Sequence, residues 1–90
     1  MKIAIVDDDI RMYERLQAYF SELLGAAARL TYFQSGEDFL RVWQPGAFEL
    51  IVLDIFMDKL TGMDAAREIR KQDRDVRIVF STTSNEYASE

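Results

Sequence analysis

Two unbroken apolar runs, each closed by aspartate, set the pattern of this chain. Ile3–Val6 ends in Asp7-Asp8-Asp9, and Leu50–Leu53 ends in Asp54. Runs without alternation suit strands buried on both faces, as in a parallel sheet covered by helices. The first strand is therefore predicted over Lys2–Val6. From Ile10 to Leu24 the period changes: Tyr13, Leu16, Phe20, Leu23 and Leu24 form a helical stripe, with Arg11, Glu14, Arg15 and Glu22 off it. Gly25 supplies the stop. Arg29–Phe33 alternates weakly and is rich in β-formers, which predicts a second strand. Ser35, with Asp38 three residues on, reads as the N-cap of a short helix running to about Trp43, and Gln44-Pro45-Gly46 breaks it. A third strand is predicted over Glu49–Leu53, followed by a loop from Asp54 to about Thr61. The third helix is expected over Gly62–Lys71, with Met63, Ala66, Ile69 and Arg70 at roughly helical spacing, and the fourth strand over Val76–Ser81. Thr82-Thr83-Ser84 is a polar break, and Asn85-Glu86-Tyr87-Ala88 reads as the opening of a helix.

Strands separated by helices of about ten residues imply right-handed βαβ units and a parallel sheet. The period alone does not give the strand order. A flavodoxin-like, doubly wound order of 2-1-3-4 would make the first and third strands neighbours and bring Asp7 and Asp8 beside Asp54.

Composition narrows the chemistry. Ninety residues, 49% of them hydrophobic and without low complexity, suit one small domain spanning 1–90. There is no cysteine and no histidine, which excludes disulfides, thiolate metal sites, His-ligated zinc and His-based triads from this sequence. The lack of cysteine also fits a reducing, cytoplasmic setting. No run approaches the roughly 20 apolar residues of a membrane span, and Met1-Lys2 leads into a strand and not a signal peptide. A net charge of −5 argues against direct nucleic-acid binding by this segment, because phosphate contacts need a basic patch.

Carboxylates gathered within a few ångströms repel one another unless a cation intervenes. Mg²⁺ is the natural occupant of an all-oxygen site, held by one or two carboxylates while it keeps waters and a phosphate oxygen. An Asp carboxylate can also be a nucleophile toward phosphorus, forming an aspartyl phosphate. Thr82, at the end of the next strand, offers a hydroxyl for a phosphoryl oxygen. Each residue has a plainer reading as well. Asp8 or Asp9 suits the N-cap of the first helix, Asp58 a solvated loop, Thr82 a turn, and Trp43 helix-end packing. The conjunction of Asp7, Asp8, Asp54 and Thr82 at successive strand ends favours chemistry.

With these residues in view the sequence resembles the receiver domain of two-component response regulators. The matching features are IVDDD at Ile5–Asp9, LIVLDIFMD at Leu50–Asp58, Gly62 at the head of the third helix and IVFSTTSNEYA at Ile78–Ala88. The last segment and the LDIFMD loop resemble most the LytR/AgrA group, which usually precedes a LytTR DNA-binding output domain. The resemblance implies that Asp54 is the phosphoacceptor for a sensor histidine kinase. It also implies that Asp8, Asp54 and the main-chain carbonyl of Phe56 ligate Mg²⁺, that Asp7 acts through a metal-bound water, and that Thr82 is the switch hydroxyl. Such a domain is a phosphoacceptor with autocatalytic phosphotransfer and not a conventional enzyme. Family receivers continue into a fifth strand, which ends in a lysine, and a fifth helix. This sequence has neither, so it reads as a receiver incomplete at its C-terminal side, with the fourth strand an open edge suited to homodimerisation.

Competing readings are weighed on single residues. Haloacid-dehalogenase-like phosphatases carry an acid/base Asp two residues past the nucleophile, where this chain has Phe56. A flavin phosphate site needs a Gly/Ser/Thr-rich loop after the first strand, where this chain has three aspartates. A degenerate receiver-like module, serving only dimerisation or protein binding, is the alternative that keeps the acidic residues.

Overall fold

The computed structural model describes residues 1–81. Its elements are β1 (Lys2–Val6), α1 (Ile10–Leu24), a 3-10 turn at Gly25–Ala27, β2 (Arg29–Phe33), α2 (Gly36–Val42), β3 (Leu50–Asp54), α3 (Gly62–Gln72) and β4 (Arg77–Ser81). All strands are parallel in the order β2-β1-β3-β4, as the flavodoxin-like reading requires. The expected opening of a fourth helix, and Thr82, lie outside the described residues.

Local chemistry sets the boundaries. Asp9 caps α1, its side chain accepting from the Arg11 amide at 3.0 Å. Ser35 Oγ accepts from the Asp38 amide at 3.0 Å and starts α2. Thr61 Oγ1 accepts from the Asp64 amide at 3.2 Å and starts α3. These side chains satisfy amides that the first turn of a helix leaves without partners. Gly25 ends α1 with φ 60°, a left-handed value that glycine adopts without a Cβ penalty. β3 lies one residue later than its expected Glu49–Leu53, so Asp54 belongs to the ladder, aligned with Ser81.

The strands alternate between two unequal layers. Ala4, Val6, Ile51 and Leu53 face α2 and α3, where they pack with Phe39, Trp43, Met57, Ala65 and Ile69. Phe39 is fully buried and meets Phe33 edge-on at 5.1 Å between ring centroids. Ile3, Ile5 and Val52 face α1 and are covered by Tyr13, Leu16, Phe20 and Leu24. No residue of α1 is fully buried, and Leu23, read as part of its apolar stripe, is 62% exposed. On α3 the buried positions are Gly62, Ala65, Ala66 and Ile69. Met63, expected on the packed face, is exposed, because the face toward β3 runs through Ala65 instead. Trp43 packs at the end of α2, as anticipated.

Candidate functional site

Because β1 and β3 are adjacent and parallel, their carboxyl ends open at the same edge of the sheet. Asp7 follows β1 and continues its ladder, its amide donating to the Phe33 carbonyl at 3.0 Å. Asp54 closes β3, and the next amide, of Ile55, donates to the Ser81 carbonyl at 2.9 Å. Each backbone is thus tied to its outer neighbouring strand, which limits where the two side chains can lie. Asp7, Asp8 and Asp54 each offer a carboxylate oxygen within 4.8 Å of the others. Asp7 and Asp54 are buried, at 1% and 2% exposure, while Asp8 faces solvent. The sequence-based convergence of these three residues is thus what the fold produces.

Local hydrogen bonds orient the cluster without neutralising it. Asp7 Oδ1 accepts from the Asp9 amide at 2.8 Å, and Asp54 Oδ1 accepts from the Phe56 amide at 3.2 Å. Asp7 Oδ2 is buried with no hydrogen-bond partner among the described residues. Burial pushes the Asp54 carboxyl up from the ordinary 3.8 to about 6; the charge of Asp7 adds to this and the Phe56 amide opposes it. Burial likewise raises Asp7, against the pull of the Asp9 amide. Asp9 goes the other way. Its bidentate pair with Arg11, both contacts at 3.0 Å, lowers its carboxyl and commits it to the α1 cap. The field reaches Tyr32, whose ring lies tilted against Tyr13 with centroids 4.9 Å apart and whose hydroxyl is raised by burial and then by the three aspartates.

An orphaned, buried carboxylate oxygen beside two further carboxylates is costly unless a cation completes it. The donor set is all oxygen, which fits a hard divalent ion such as Mg²⁺. Among the described residues, Asp7, Asp8 and Asp54 are the group so placed. Asp58 is exposed in the loop beyond, and Phe56, with an exposed side chain, lies two residues past Asp54.

Two supports of the site were less apparent from sequence. Gly62 packs so tightly on the end of β3 that a Cβ there would meet the Asp54 carbonyl oxygen at 2.2 Å, and its amide donates to the Ile55 carbonyl at 3.1 Å. Met57, an apolar residue in an otherwise polar loop, is buried in the α2/α3 layer and anchors that loop. The glycine at a helix head and the lone apolar loop residue were the available signals. Lys59, in the same loop, takes φ 39°, which is uncommon for a side chain with a Cβ.

Comparison with known proteins gives one consistent result. Residues 3–90 match the family model of the response regulator receiver domain. The chain is 33% identical over 86 residues to the response regulator sskA of Aspergillus fumigatus, and 26% identical over 86 residues to the transcriptional regulatory protein DltR of Streptococcus agalactiae. It covers 94% and 96% of its own length in these alignments but only 10% and 37% of those proteins. Among solved structures it is similar to the response regulator TrrA of Thermotoga maritima in complex with Mg²⁺-BeF. There the TM-score is 0.82 at 30% identity, covering 99% of this chain and 75% of that one. The same protein in complex with the histidine kinase ThkA gives a TM-score of 0.80, covering 99% and 74%.

Proposed function

The chain belongs to the response regulator receiver domain family, and from that membership we propose that Asp54 accepts a phosphoryl group from the phosphohistidine of a sensor histidine kinase. An Asp54 carboxylate oxygen forms the new bond to phosphorus. The bond from phosphorus to the imidazole nitrogen breaks, and its electron pair stays on that nitrogen. The observation that carries this reading is the burial of Asp54 at a strand end beside Asp7 Oδ2, which has no hydrogen-bond partner among the described residues. Such an arrangement is ill suited to a structural role and well suited to holding a cation and a phosphoryl group together.

The residues present fit Mg²⁺. Asp8 and Asp54 would hold it directly, with the Phe56 main-chain carbonyl, and Asp7 through a water. When bound, the ion supplies neutralisation of the charge that gathers between carboxylate and phosphoryl oxygens. The protein's own contribution is positional. The β3 ladder, the Phe56 amide and the packing of Gly62 fix the Asp54 side chain, so the nucleophile enters the reaction already oriented. Thr82 follows β4 directly and is the proposed switch hydroxyl, converting the new charge into a rearrangement beyond that strand. The wider reading is a cytoplasmic regulator of the LytR/AgrA group whose receiver controls a LytTR DNA-binding output domain. The motifs LDIFMD and STTSNEYA support it.

Labelling with a small-molecule phosphodonor such as acetyl phosphate tests the assignment. Acid-stable, hydroxylamine-sensitive label is expected on the wild type in the presence of Mg²⁺ and none on Asp54→Ala, whereas Asp58→Ala keeps it. Label retained at full level by Asp54→Ala overturns the assignment.

A further inference from the structure

We infer that Lys59 draws an anionic phosphodonor toward the acidic cluster, through a cleft that this residue and Asp8 both line. The inference rests on the phosphoacceptor reading of Asp54, and its test separates the two.

The cleft has a volume of about 520 Å³ and lies between the β3–α3 loop and the start of α2. Its charged groups are Asp8, Glu37, Asp38, Arg41, Asp58 and Lys59. Asp8 also belongs to the cluster with Asp7 and Asp54, so cleft and cluster share a wall. Four of the six charges are negative, and the chain as a whole carries −5. A phosphodonor is itself an anion and is repelled by such a surface. Of the two cations, Arg41 is committed to Asp38 at 3.1 Å. Arg11, beyond the cleft, is held by Asp9 at 3.0 Å. The Lys59 side chain is exposed and makes no ion pair or hydrogen bond among the described residues.

The backbone of the loop gives no reason for lysine at this place. Met57 is buried in the α2/α3 layer, Leu60 packs against the same layer, and Thr61 caps α3. Between these anchors the chain bends at Asp58 and Lys59, and Lys59 takes φ 39°. Glycine, or asparagine among residues with a Cβ, enters that left-handed region at less cost. What lysine adds is a positive charge, held at the cleft by anchored neighbours. That charge acts in opposite senses on the two ligands of the site. It attracts the donor and repels a divalent cation. In water a unit charge about 10 Å from a doubly charged ion changes a rate or binding constant about two- to fourfold at an ionic strength of about 0.03 M. A residue that only kept the loop in shape would move both in one direction, since a displaced loop weakens cation and donor together.

Phosphorylation of the full chain by acetyl phosphate with Mg²⁺ in excess, followed by intact-mass spectrometry, supplies one readout. Calorimetric titration with Mg²⁺ alone supplies the other. At about 0.03 M ionic strength Lys59→Asn should be phosphorylated about two- to fourfold more slowly and bind Mg²⁺ more tightly by a similar factor. Both differences should close at about 1 M, where the screening length is about 3 Å. With phosphoramidate, a donor of smaller net negative charge, the loss of rate should be smaller. Lys59→Arg should match the wild type in both readouts. Lys71→Asn, the same change of charge roughly 14 Å along α3 from Gly62, should alter neither. Slower phosphorylation together with weaker Mg²⁺ binding, or an equal loss in Lys59→Arg, overturns the proposal in favour of a loop-shaping role. A Lys59→Asn rate equal to that of the wild type at low salt, with Asp54→Ala unlabelled, overturns it and leaves the acceptor assignment standing. Label on Asp54→Ala overturns that assignment and this inference with it.

Discussion

Replacing the charge at Asp54 while keeping its shape should stabilise the metal-free protein. Asp54 is 2% exposed and its carboxyl is raised from the ordinary 3.8 to about 6, chiefly by burial and then by Asp7. The folded state therefore holds a proton that the unfolded chain has already released between about pH 4 and pH 6. The sign follows from this excess: the relative stability is fully present below about pH 4 and is lost as pH rises through about 6. At 1.36 kcal/mol for each tenfold change in proton affinity, the loss amounts to about 3 kcal/mol. Asp7, also raised, acts in the same direction. Asp9 and Asp73 are lowered, so their contribution disappears only as pH falls below the ordinary carboxylate range, outside this window. Asp54→Asn removes the buried charge and leaves an amide able to donate to Asp7 Oδ2, which has no partner among the described residues. Urea unfolding with a chelator present, followed by far-ultraviolet circular dichroism, should show Asn more stable by up to about 3 kcal/mol at about pH 7.5 and nearly equal at about pH 4. Asp58→Asn, on the exposed loop, should not reproduce this. A difference at neutral pH below about 0.5 kcal/mol, or one unchanged between the two pH values, would refute the reasoning.

Substitutions at Gly62 and Thr61, each with a control, test how the site is held. Gly62→Ala sets a Cβ against the Asp54 carbonyl oxygen at 2.2 Å, backbone that cannot retreat, and should cost about 3 kcal/mol, the upper end of the overpacking range. Gly36→Ala comes closest to the end of the Leu60 side chain at 3.1 Å, with the Leu60 carbonyl at an ordinary 3.5 Å, and should cost less than about 1 kcal/mol; equal losses in thermal melts would contradict the distinction. Thr61→Ala removes the cap of α3 and should lower stability by about 1 kcal/mol in urea titration, with Thr61→Ser restoring most of it.

Much of this architecture is legible because local and global signals agree. The apolar runs at Ile3–Val6 and Leu50–Leu53 announced buried parallel strands, and Ser35 announced a helix start with the right partner at Asp38. The acidic cluster followed from strand order alone, since adjacency of β1 and β3 leaves Asp7 and Asp54 nowhere else to go. Harder to read were features that depend on which face of a helix meets the sheet. Leu23 and Met63 satisfy a helical period but point away, because α1 lies on a narrow stripe and α3 approaches through Ala65. The role of Asp9 was open between cap and acidic neighbour until the Arg11 pairing fixed it. Sequence also marks Gly62 without disclosing that a carbonyl fills the space where its side chain would be.

The imbalance between the two sides of the sheet makes this molecule unevenly robust. α1 covers Ile3, Ile5 and Val52 with half-buried side chains only, whereas α2 and α3 each enclose residues fully, so amide exchange is expected to be faster in α1 than in the α2/α3 slab. Asp54 is clamped from that slab, through the abutting head of α3, while Asp9 belongs to the looser helix. The pocket's deepest carboxylate is thus insulated from the motion, and its outer rim shares in it.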